Sequence, residues 1–140
     1  MEVRIMLNKY LSANYLQSDK MNKKDRFCHK LHVKYLSDEV ATAKKAVVEA
    51  REVMYEAVRT AHAAFMDICF LELADNEEVV EEGIEFFDYL CDVAHSDAHY
   101  VETERNMIVE QKAFKVAEQV LRDKKKELRN YRAQVKNCAK

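Results

Sequence analysis

Twelve apolar residues recur at alternating spacings of three and four between positions 33 and 71: Val33, Leu36, Val40, Ala43, Val47, Ala50, Met54, Ala57, Ala61, Ala64, Ile68 and Leu71. More than five heptads pass without a polar interruption, which predicts a long helix with a coiled-coil-like seam. Five of the twelve are alanine. Small seam residues let a neighbouring helix approach closely or leave room for a third one.

The rest of the chain leaves few alternatives to helix. Its 140 residues include no proline and a single glycine, Gly83. Sandwiches, barrels and βαβ units need turn formers at short intervals, and this sequence does not supply them. One glycine also makes neither a phosphate-binding loop nor a dinucleotide fingerprint. The expected fold class is all-α: a long antiparallel helical hairpin with a short N-terminal helix, a three-helix bundle being the variant form. A single helical domain, 1–140, is expected, with helices at 1–17, 24–74 and 77–138.

Local signals place these elements. Val3, Met6, Leu7, Tyr10 and Leu11 form one face of the N-terminal helix. Asp75 with Glu78 three residues on resembles a capping box, so a tight reversal is expected at residues 75–76. That turn would set Ala57 against Ala94, Met54 against Ala98 and Val33 against Ala117. In the second long helix Ile84, Phe87, Cys91, Ala94, Ala98 and Val101 repeat the spacing, and Arg105 occupies the next place. The stripe resumes out of phase at Phe114, Ala117, Leu121, Lys124, Leu128, Tyr131, Val135 and Cys138. A phase slip is therefore expected at 105–112. Ser37-Asp38-Glu39 and Ser96-Asp97 resemble N-caps and are the two candidate helix breaks.

Charge is segregated behind a net value of −2. Residues 60–104 hold 13 acids and no lysine or arginine, residues 1–59 have a net charge of +4, and residues 105–140 have +7. Folding at 75–76 predicts an acidic tip and a basic base. The tip supplies the candidate partner-binding residues Glu77, Glu78, Glu81, Glu82, Glu85, Asp88, Asp92 and Phe86. Several of these carboxylates recur about one helical turn apart, near phosphate spacing, as in proteins that imitate nucleic acid. The base supplies candidate phosphate contacts in Lys124, Lys125, Lys126, Arg129 and Arg132, with Phe27, Tyr35 and Tyr131 nearby to stack on bases. His29 and His32 lie in the basic segment.

Asp92, His95, His99 and Glu102 share one helix face, but no second helix offers matching ligands, so neither a metal nor another cofactor is expected. Cys91 and His95 stand one turn apart, yet Cys91 falls on the expected seam, where thiols are inert packing. No catalytic residue is proposed. Four cysteines without a CxxC pair, together with an N-terminus too charged for a secretion signal, point to a reducing, cytoplasmic setting. The expected function is a non-enzymatic interaction module. It would bind and modulate or inhibit a larger protein, one that handles nucleic acid, through the acidic tip. Nucleic-acid binding by the basic ends and a structural coiled-coil adaptor are the alternatives. A homodimer is within reach, and no membrane segment is expected.

Overall fold

A computed structural model of the chain describes residues 23–75 and 84–138. Three helices account for them: α1, Lys23–Asp75; α2, Ile84–Ser96; and α3, Ala98–Cys138. No strand occurs among the described residues, and the all-α class is shown. The helix expected at 1–17 lies outside the described residues. No helix among the described residues is long and apolar enough to cross a membrane.

The chain divides into two compact units: unit 1, Met1–Val47 with Ala117–Lys140, and unit 2, Val48–Val116. In unit 1, the α1 seam residues Leu36, Val40, Ala43 and Val47 are buried. The half-buried Ala117, Leu121, Lys124 and Leu128 of α3 continue to Tyr131, which is buried. The two helices run antiparallel there, as Glu39 with Lys124 and His29 with Tyr131 show. Ser37 does not interrupt α1.

In unit 2 the α1 seam continues through Ala61, Ala64 and Ile68, all buried. It ends there. Leu71, the next place in the stripe, is 68% exposed, and Cys69 joins a core cluster with Phe86 and Leu90 of α2 instead. Phe65 and Leu73 pack against this cluster.

The partners facing Phe65, Arg51 and Glu39 of α1 lie about 12–14 residues further along the chain than expected. Phe65 meets Tyr100 with ring centroids 5.8 Å apart, the Arg51 guanidinium lies 5.9 Å from the Phe114 ring centroid, and Glu39 pairs with Lys124. A hairpin closing at 75–76 forbids all three contacts. The physical reason is that α1 runs through Asp75, which therefore belongs to the first helix and is not the cap of the next one. The alanine-rich seam does not oppose the shift, since one alanine accepts the same neighbours as another.

The phase change also lies elsewhere. Asp97 separates α2 from α3, and its Oδ1 accepts a hydrogen bond from the Tyr100 amide at 2.9 Å, an N-cap. Its own amide donates to the Ala94 carbonyl at 3.0 Å. Before the break the buried face is Phe86, Leu90 and Ala94. After it, buried Thr103 leads through half-buried Met107, Glu110 and Phe114 into the unit 1 seam with no slip at 105–112. Arg105 is exposed, so the expected inward stripe Phe87–Cys91 and its extension to Arg105 is off by one residue in α2 and by two at Thr103.

Candidate interaction surface

Four large apolar side chains of unit 2 remain in solvent around the junction of α1 and α2: Phe70 (64% exposed), Leu71 (68%), Phe87 (57%) and Tyr89 (46%). Their positions follow from the helices that carry them. Phe86 and Leu90 turn inward onto Cys69, so the adjacent Phe87 and Tyr89 turn outward. Cys69 turns inward on α1, which leaves Phe70 and Leu71 facing water. Phe87 is steadied by an edge contact with Phe65 at 6.4 Å, and the Tyr89 hydroxyl donates to Glu72 Oε2 at 3.0 Å. These rings are held in place without being buried.

Carboxylates surround them. Glu85, Asp88 and Asp92 are exposed on α2, and Asp67 is exposed on α1. Glu77, Glu78, Glu81 and Glu82 lie outside the described residues. Phe86, expected among the partner-facing residues, is only 7% exposed and stacks on Tyr89 at 6.1 Å. The aromatic side chains available to a partner on α2 are therefore Phe87 and Tyr89. The sequence carried this signal in the spacing Phe86–Leu90–Ala94, which competes with the stripe one residue later.

A second feature of unit 2 is a groove of about 690 Å³ between α1 and α3. Glu52, Val53, Glu56 and Ala57 line it from α1, and Asn106 and Glu110 from α3. It exists because alanine fills the seam at this level and leaves the helix flanks apart. Arg59 pairs with Glu56 at 2.7 Å, but both side chains are 70% exposed, so the pair contributes little stability.

The metal-like stripe does not assemble. The break at Asp97 separates Asp92 and His95 from His99 and Glu102. His95 Nδ1 hydrogen-bonds the Cys91 carbonyl oxygen at 2.6 Å, and its Nε2 approaches Glu104 at 3.5 Å. No group of three or more His, Cys, Asp or Glu poised for a metal occurs among the described residues. Burial, and after it the neighbouring Cys91, push the Cys69 thiol up.

Unit 1 treats its basic residues unequally. Lys124 sits half-buried in the seam and donates to Glu39 Oε2 at 2.8 Å, a bond that raises its pKa against the opposing effect of burial. Lys125, Lys126, Arg129 and Arg132 are exposed. Of the three aromatics expected near them, Phe27 is exposed, Tyr35 donates to Glu39 Oε1 at 2.7 Å, and Tyr131 is 5% exposed. His29 and His32 are buried rather than phosphate-facing. A hydrogen bond joins His29 Nδ1 to the Tyr131 hydroxyl, and the His32 ring lies 4.2 Å from the Tyr131 ring. Burial lowers the His29 pKa, partly offset by Asp25, and pushes Tyr131 up to about 12.

No family model, no curated protein and no solved structure matches this chain.

Proposed function

We propose that the protein is a non-enzymatic interaction module that docks on a larger protein through unit 2 and modulates or inhibits it. The observation that carries this reading is the coincidence of two features on α2 and the end of α1. Exposed apolar anchors (Phe70, Leu71, Phe87, Tyr89) stand among carboxylates in a 60–104 stretch that has no lysine or arginine. Binding hot spots combine such rings with a polar surround. Unrelieved carboxylates cost stability through self-repulsion, which a cationic partner removes. Glu85, Asp88 and Asp92 advance by three and four residues along α2, a spacing that suits a groove built for phosphates. The partner class favoured is therefore a protein with a basic, nucleic-acid-handling surface. The free thiols of Cys28, Cys69 and Cys91 are in keeping with a reducing, cytoplasmic setting.

Capture from the native cell with matched baits tests this. Reversing Glu85, Asp88 and Asp92 to lysine, or changing Phe87 and Leu71 to serine, is expected to remove the partner. Changing Lys125 and Lys126 to glutamine is expected to leave it. The opposite pattern would favour a second reading, nucleic acid on the α3 face of Lys125, Arg129, Arg132 and Lys136. Those cations recur at spacings of four, three and four and are exposed.

A further inference from the structure

The two compact units carry opposite charge. The sequence of unit 1 has 18 lysines and arginines against 8 acids, a net of +10. That of unit 2 has 5 against 17, a net of −12. The division places 18 of the 23 lysines and arginines in unit 1 and 17 of the 25 acids in unit 2. The ion pairs described above each join groups of one unit, Lys124 with Glu39 in unit 1 and Arg59 with Glu56 in unit 2. Pairs within one unit leave its net charge as it is.

We propose that the occupant of the acidic groove of unit 2 is unit 1 of a second copy of this chain. The inference stands apart from the function proposed above: its groove is lined by other residues, although both draw on the acidic charge of unit 2. The groove presents carboxylates at Glu52, Glu56 and Glu110 beside the apolar Val53 and Ala57. Val53 is 51% exposed there, so apolar surface remains to be covered. The α1 residues that line it run from Glu52 to Thr60, about two helical turns. The complementary face is the exposed row Lys125, Arg129 and Arg132 on α3, also two turns long. A charge of −12 beside one of +10 nearly cancels, whereas two like units repel. The pairing is self-complementary: each copy offers one unit of each sign, so a pair of copies can exchange two such contacts, unit 1 of each in the groove of the other. Exposed charges drive the contact, so salt weakens it: the Debye length shortens from about 10 Å at 0.1 M to about 3 Å at 1 M.

Sedimentation velocity on the full chain tests the proposal. At low salt the mass is expected to be about twice the 16.4 kDa of one chain, returning to one chain at high salt. Two variants separate this contact from any other. One carries Glu52→Lys and Glu56→Lys. The other carries Lys125→Glu, Arg129→Glu and Arg132→Glu. All five positions are exposed, and circular dichroism verifies that both variants keep their helix content. Each variant alone is expected to stay monomeric at low salt, with its self-association weakened at least tenfold. Mixed together they are expected to associate again, because the reversed groove of one now fits the reversed row of the other. A wild type that stays at the mass of one chain at low salt overturns the proposal, and so does a groove already covered by residues 1–17 of its own chain, which gives the same result. Dimers that persist in both variants, or a mixture that fails to associate, overturn it equally.

Discussion

Leu36 and Leu71 occupy equivalent places in one apolar stripe of the sequence, yet the structure gives them opposite surroundings. Leu36 is 2% exposed in unit 1 and Leu71 is 68% exposed in unit 2. Replacing Leu36 by alanine removes buried methyl groups and leaves a cavity beside His32 and Val40, one turn away on either side. Such changes cost about 2–5 kcal/mol. A seam between two helices collapses more readily than a deep core, and alanine is the better helix former by a few tenths of a kcal/mol. The expected loss is therefore at the lower end, about 2–3 kcal/mol, or a fall of about 4–12 °C in the melting temperature of a chain this size. Leu71→Ala is expected to stay within about 0.5 kcal/mol of the wild type, as exposed substitutions do. Urea unfolding followed by circular dichroism at 222 nm reads both. Equal losses at the two positions would show that the seam continues past Ile68, and the assignment of Cys69, Phe86 and Leu90 to the core would then fail.

Acidification is expected to destabilise unit 1 through His29. Its folded pKa lies below the unfolded value of 6.5, so its contribution is complete above pH 6.5 and is lost as pH falls below it. The urea midpoint should drop between pH 7.5 and 5.5, and a His29→Gln variant should show a shallower drop; an identical slope refutes the assignment. Asp97→Ala is expected to cost about 1 kcal/mol by removing the cap of α3, while Asp97→Asn keeps most of it; equal unfolding midpoints for wild type and Asp97→Ala would refute the cap. Native thiol labelling mapped by mass spectrometry should modify the half-buried Cys91 before the buried Cys28 and Cys69. Cys69 should be slowest, because burial and then Cys91 hold its proton.

The helical class and the α1 seam from Leu36 to Ile68 were legible because an unbroken 3,4 pattern has one physical solution. The register was not. Alanines at 57, 61 and 64 pack equally well against several neighbours, so facing pairs are set by large residues such as Phe65 and Tyr100, whose partners the spacing does not name. Asp75 and Glu78 form a plausible cap by composition, but helix α1 runs through Asp75. Adjacent Phe86 and Phe87 made the inward face of α2 ambiguous by one residue, and that residue decides which ring a partner meets. The buried Asp25, His29 and His32 were hidden for a simpler reason: polar residues do not appear in an apolar stripe. Of the surface, the acidic block and the basic row were visible as charge, whereas the exposed apolar anchors depended on the phase.

The antiparallel pairing of α1 with the later helices also fixes an order of events during folding. Glu72 and Tyr89 are 17 residues apart in sequence, and His29 and Tyr131 are 102 apart. Closing the longer loop first costs about 1.6 kcal/mol more in chain entropy than closing the shorter one. The hairpin therefore closes from its local end, and each pair of turns zipped shortens the loop left for the next. On a ribosome, Leu36, Val40 and Val47 wait for partners that are synthesised roughly 80 residues later, so the seam of unit 1 is the part of the nascent chain that most needs shielding.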